Sequence, residues 1–126
     1  MGAQSSCYPS RRMVSWLAKV ERDLLCEQVR EGFHALSDPI RLRVLQLLRG
    51  RELCVCDLCE ELQVSQSKLS FHLKTLRDAQ LVNARQQGRW IYYSLNPSRF
   101  QLLQHFLDSL GQAAPPEAAV PCAEDP

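Results

Sequence analysis

Between Val55 and Leu76 the chain carries two short helical periodicities separated by only three residues, Gln63-Val64-Ser65. Val55, Leu58 and Leu62 recur at the i, i+3, i+7 spacing of one helix face, and Leu69, Leu73 and Leu76 form the stripe of a second helix capped by Ser65. Two helices joined so closely must share one core, and the link has the length of a helix-turn-helix turn.

The flanking sequence extends this unit. Asp38-Pro39 opens an earlier helix, with Asp38 as N-cap and Pro39 at the first helical position. Its buried stripe is Ile40, Val44, Leu47 and Leu48, and Gly50 fits its C-terminal cap. Further upstream lie two apolar stripes, Met13–Trp16–Leu17–Val20–Leu24 and Leu25–Val29–Phe33–Leu36. Two readings fit them: one stripe packs on the domain and the other on a partner subunit, or a single helix rolls within one core. Downstream, Leu81 to Gln87 and Trp90 to Leu95 flank Gly88-Arg89, and Trp90-Ile91-Tyr92-Tyr93 strongly favours a strand. Asn96-Pro97 ends this hairpin and opens a last helix in which Phe100, Leu103, Leu107 and Leu110 make an apolar stripe, widened by Phe106. The order predicts a mostly helical α+β fold, a winged helix-turn-helix with a two-stranded β-hairpin wing.

The 126 residues suit one compact domain, and 45% apolar with 23% charged residues is an ordinary soluble profile. Residues 1–12 read as a flexible arm, 13–111 as the DNA-binding and dimerisation domain, and 112–126, with four prolines, as a disordered tail. No apolar run approaches the roughly 18 residues of a membrane span, and no signal peptide is visible, so a cytoplasmic location is expected. Met1-Gly2-Ala3-Gln4-Ser5-Ser6 fits the loose myristoylation template, which we read as chance.

Net charge is only +1, but its distribution is uneven. From Gln63 to Arg99 the cations Lys68, Lys74, Arg77, Arg85, Arg89 and Arg99 face the single acid Asp78. A local basic face is the footprint of a phosphate binder, although a solvated surface has the same composition. On a helical wheel Ser67, Ser70, Phe71, Lys74 and Arg77 lie opposite Leu69, Leu73 and Leu76. Short hydroxyls let a helix approach base edges, and lysine or arginine holds the neighbouring phosphates. Phe71 is placed either to press on a thymine methyl group or to pack on a nearby loop. Arg85, Gln86, Gln87 and Arg89 give the hairpin a basic, polar tip suited to backbone or minor-groove contact. His72 lies near the inner edge and reads as structural.

Six cysteines are present, and Cys54, Cys56 and Cys59 fall within six residues. In a reducing compartment such a cluster points to metal or redox chemistry rather than a disulfide framework. Thiolates are soft ligands, and helix N-termini help to ionise thiols. Three sulfurs match trivalent arsenic or antimony, whereas zinc wants a fourth ligand, which Cys7 would supply. Read as one helix, Cys56 and Cys59 share a face while Cys54 lies about 160° from Cys56, so convergence requires the first turn to unwind. Cys59 also fits a buried core thiol. Cys26 and Cys122 have no cluster partner.

Leu36-Ser37-Asp38-Pro39-Ile40-Arg41, Glu52-Leu53-Cys54-Val55-Cys56-Asp57-Leu58-Cys59 and Ser65-Gln66-Ser67-Lys68-Leu69-Ser70-Phe71-His72-Leu73 closely resemble the ArsR/SmtB family of metalloregulatory repressors. The resemblance covers about Leu25 to Leu110, and the thiol motif looks like that of the arsenite and antimonite sensors. It implies a homodimer that binds double-stranded operator DNA and releases it when As(III) or Sb(III), acting as inducer, binds. It carries Cys54, Cys56 and Cys59 over as ligands, and Gln66, Ser67 and Ser70 as groove contacts. No permanent cofactor is expected. Cadmium and lead sensors of the family share only the Cys-x-Cys pair and add arm cysteines, so Cys7 with Cys54 and Cys56 is an alternative set. Zinc sensors carry paired histidines on the last helix, which here has only His105 with Asp108. A thiol redox switch is a third reading. An enzyme lacks support, since no phosphate loop or carboxylate pair is present and the histidines sit in helical patterns.

Overall fold

The computed structural model describes residues 8–122, with side chains from Ser15 onward. The arm cysteine Cys7 and the side chain of Met13 lie outside the described residues. Five helices run α1 (Tyr8–Leu36), α2 (Pro39–Leu47), α3 (Val55–Leu62), α4 (Gln66–Asp78) and α5 (Pro97–Gly111). Three strands, β1 (Leu53–Cys54), β2 (Val82–Gln87) and β3 (Trp90–Leu95), form one antiparallel sheet in the order β1-β3-β2.

The local signals explain most of these boundaries. Asp38 caps α2 by accepting from the backbone N–H groups of Ile40 at 2.8 Å and Arg41 at 3.1 Å. Ser65 caps α4 through the N–H of Lys68 at 3.2 Å. Gly88 opens the hairpin turn at φ +62, a left-handed value that costs glycine little. Gln87 pairs directly with Trp90 across that turn.

Three features differ from the sequence expectation. Residues 8–12, assigned to the arm, belong to α1. The C-cap of α2 is Leu48, and Gly50, at φ +74, turns the chain toward β1 instead. The wing hairpin gains a third strand, because Leu53 and Cys54 pair with Tyr93 and Tyr92 along the free edge of β3.

The core is the interior that the helical periodicities define. Val44, Leu48, Leu58, Leu69, Leu73, Leu76 and Leu81 are fully buried. Each such leucine removes enough apolar area to be worth about 2–3 kcal/mol. The C-terminal part of α1 joins this core through Val29 and Ala35, while Trp16, Leu17, Leu24 and Leu25 are exposed. Gly32 lets α1 lie against α5: a Cβ there would stand 2.8 Å from a Leu103 methyl group. Phe33 and Phe106 continue that contact with ring centroids 6.1 Å apart.

Candidate functional site

The helix α4 divides cleanly by burial. Leu69, His72, Leu73 and Leu76 face inward, and Gln66, Ser67, Lys68, Ser70, Phe71, Lys74 and Arg77 are exposed. Phe71 is 64% exposed and has its ring edge-on to His72, with no covering loop. The ring stands on a face otherwise made of hydroxyls, an amide and cations. Lys74 pairs with Asp78 at 2.9 Å, an exposed i, i+4 bridge.

One group that holds α4 in place, Arg41, escapes sequence reasoning, while its partner His72 is structural as the sequence suggests. Arg41 is buried, and its guanidinium donates to the Ala35 carbonyl at 2.8 Å, the His34 carbonyl at 3.2 Å and Nδ1 of His72 at 3.0 Å. It thereby satisfies the last carbonyls of α1 and ties them to the inner face of α4. Asp38 lies 3.8 Å from the same Nδ1, beyond hydrogen-bond reach. Arginine only donates, so Nδ1 accepts and the imidazole proton sits on Nε2.

On the wing, Arg85 does not point freely outward. It makes a two-pronged bridge to Glu52 at 3.1 and 2.8 Å, donates to Gln87 at 2.7 Å and lies over the Tyr92 ring at 4.9 Å. The hydrogen bonds that Arg85 donates hold the Glu52 carboxyl below its ordinary range, and the same pairing raises the guanidinium. Arg89, at the turn, stays exposed.

The thiols are arranged differently from a single helical turn. Cys54 has an extended backbone (φ −84, ψ 168) and is both a β1 residue and the N-cap of α3. Its Sγ donates to the Asp57 carboxylate at 3.2 Å. The expected unwinding of the first helical turn is therefore not the cost of gathering the thiols, because Cys54 already lies outside the helix. Cys56 is exposed. Cys59 is half-buried against the core, and desolvation, then the charges of Cys56 and Cys54, push its thiol up. Among the described residues no three Cys, His, Asp or Glu side chains stand ready-made to hold a metal ion. The thiols Cys26, Cys54, Cys56, Cys59 and Cys122 are all free.

One pocket joins the two constellations. Cys54, Val55, Cys56, Gln66, Arg89, Trp90 and Ile91 line a hollow of about 160 Å³. The N-terminus of α3, the N-terminus of α4 and the tip of the wing meet there.

Comparison with known proteins agrees with this architecture. The profile of bacterial regulatory proteins of the arsR family matches residues 38–84, from the N-cap of α2 into β2. The arsenical resistance operon repressor of Bacillus subtilis strain 168 is 45% identical over 73 residues, covering 57% of this chain and 70% of that protein. The transcriptional repressor SmtB homolog of Synechocystis is 49% identical over 69 residues, and the chain spans about half, 52%, of its length. The crystal structure of a possible transcriptional regulator for arsenical resistance superposes with a TM-score of 0.59 at 35% identity, over 64% of this chain and 83% of that one. These relatives are regulators of transcription rather than enzymes.

Proposed function

From the premise that the chain belongs to the arsR family of bacterial regulatory proteins, we propose that it is a repressor that binds operator DNA as a homodimer and releases it when arsenite or antimonite takes its thiols. The observation that carries this reading is the shared pocket: Cys54 and Cys56 line one hollow with Gln66 of α4 and Arg89 of the wing. An inducer bound there acts on the elements that would touch DNA. The Bacillus subtilis relative, an arsenical resistance operon repressor by name, favours arsenic as that inducer.

In this reading α4 enters the major groove. Gln66, Ser67, Ser70 and Phe71 meet base edges, while Lys68, Lys74, Arg77 and Arg89 meet phosphates. Arg85 reaches phosphate only by leaving Glu52. The apolar side chains exposed on α1 (Trp16, Leu17, Leu24) and on α5 (Leu107, Leu110) are what a second copy would cover.

The donor set fits a trivalent metalloid: three sulfurs within six residues. Arsenous acid and three thiols give a trithiolate and three waters. Each arsenic–oxygen bond is replaced by an arsenic–sulfur bond, and each thiol proton leaves with a hydroxide. For Cys54 this means giving up its hydrogen bond to Asp57.

The half-buried position of Cys59 favours a second reading, in which Cys54 and Cys56 bind cadmium, lead or zinc together with Cys7. X-ray absorption on the arsenite-loaded protein tests the first reading. A three-sulfur shell is expected in the parent and is lost in Cys54→Ser, Cys56→Ser and Cys59→Ser alike, with operator binding intact in all three. A full three-sulfur shell in Cys59→Ser overturns the assignment and supports the second set.

A further inference from the structure

We propose that the wing carries the state of the thiols to DNA, with Glu52 and Arg85 as the positioning pair that couples them. This rests on the thiol reading above and adds the route by which the signal travels.

Cys54 is itself a strand residue of the wing sheet. It pairs with Tyr92 on one edge of β3, and Arg85 pairs with the same Tyr92 on the other edge. Cys54, Tyr92 and Arg85 thus form one row across three strands. The side chains reinforce the row. Arg85 lies over the Tyr92 ring and reaches past it to Glu52, two residues before Cys54. At the far end of the hairpin, Arg89, Trp90 and Ile91 line the pocket that holds Cys54 and Cys56.

The strand β1 is only two residues long, so little ladder pairing resists a pull on Cys54. When Cys54 turns from Asp57 toward a ligand shared with Cys56 and Cys59, its backbone either draws Tyr92 with it or parts from it. The Glu52–Arg85 bridge decides between these outcomes. An exposed ion pair adds little to stability. A two-pronged arginine–carboxylate contact nevertheless fixes relative orientation. It keeps β1 and β2 moving together, so the hairpin tip turns when the thiol loop turns. A variant lacking the bridge should fold normally and lose coupling.

The test uses full-length protein, sodium arsenite and Glu52→Gln. In the parent, arsenite should shift the amide resonances of Gln87, Gly88 and Arg89 at the tip as well as those of α3. In Glu52→Gln, the ultraviolet absorption of arsenic–thiolate bonds should appear unchanged, but the loss of operator affinity caused by arsenite should shrink at least about threefold. Tip amides that stay still in the parent while α3 amides shift would overturn the route and leave the thiol reading standing. Undiminished coupling in Glu52→Gln would do the same. Absence of the arsenic–thiolate absorption in the parent would remove the thiol reading, and the route with it.

Discussion

The guanidinium of Arg41 donates to Nδ1 of His72 across 3.0 Å, fastening the inner face of α4 to the junction of α1 and α2. Arg41 also holds the carbonyls of His34 and Ala35, so a single side chain closes the end of one helix and positions another. Arg41→Leu leaves the buried Ala35 carbonyl and Nδ1 of His72 without a donor, while the His34 carbonyl keeps the N–H and hydroxyl of Ser37. We expect a loss of about 3 kcal/mol in urea denaturation. A loss below about 1 kcal/mol would mean that water replaces the guanidinium freely.

Asp38, at the start of the same helix, gives an acid signature. Desolvation pushes its carboxyl up, but the N–H donors of Arg41 and Ile40 and the coulombic pull of His72 and Arg41 outweigh it, and its pKa lies below the ordinary 3.8. A depressed carboxylate contributes stability above its unfolded pKa and loses it as pH falls through the folded one. Asp38→Asn keeps a capping oxygen and removes the charge. Its stability should therefore decline less steeply than the parent's between about pH 4 and pH 2. Parallel pH profiles for the two proteins would contradict this.

How much of this was legible in the chain varies with the range of the interaction. The α4 face was readable because Leu69, Leu73 and Leu76 repeat within one helix, and burial follows that stripe. Asp38 and Ser65 act on N–H groups two or three residues away, and both capped as expected. Arg41 follows Pro39-Ile40 like any surface cation; it is buried because carbonyls from the end of α1 and a ring from α4 converge on it. Arg85 reads as a phosphate contact, but its partner Glu52 lies 33 residues away in the link just before β1. The strand β1 was hidden because two residues show no periodicity, and only the open edge of β3 makes them a strand.

The thiol chemistry sets a pH dependence that distinguishes inducers. Burial pushes the Cys59 thiol up from its ordinary range, and ordinary thiols already carry their protons near neutral pH. Neutral arsenous acid consumes the thiol protons as water, so its affinity should change by less than about twofold between pH 6 and 7.5. A divalent cation must expel those protons, and cadmium affinity should rise about tenfold per pH unit for each proton released. Calorimetric titrations in buffers of different ionisation enthalpy check both. A steep rise in arsenite affinity with pH would contradict the balanced exchange.

The reading face predicts two different losses. Ser70→Ala, beside Phe71 on the exposed side of α4, should narrow the preference between operator and mismatched sites by about 1–3 kcal/mol. Arg77→Ala should weaken all sequences alike and reduce the salt slope by about 1. Competition binding at several salt concentrations separates the two. A uniform loss in Ser70→Ala would take it off the base edges.

The central claim is that the thiol site and the DNA face oppose each other. The most direct measurement is arsenite affinity with and without saturating operator. Linkage requires DNA to weaken arsenite binding by the factor that arsenite weakens DNA binding. We predict a weakening of roughly 5- to 150-fold, the usual coupling of about 1–3 kcal/mol. Equal affinities in the two titrations would contradict the account, leaving Cys54, Cys56 and Cys59 as a passive thiol cluster beside a DNA-binding helix.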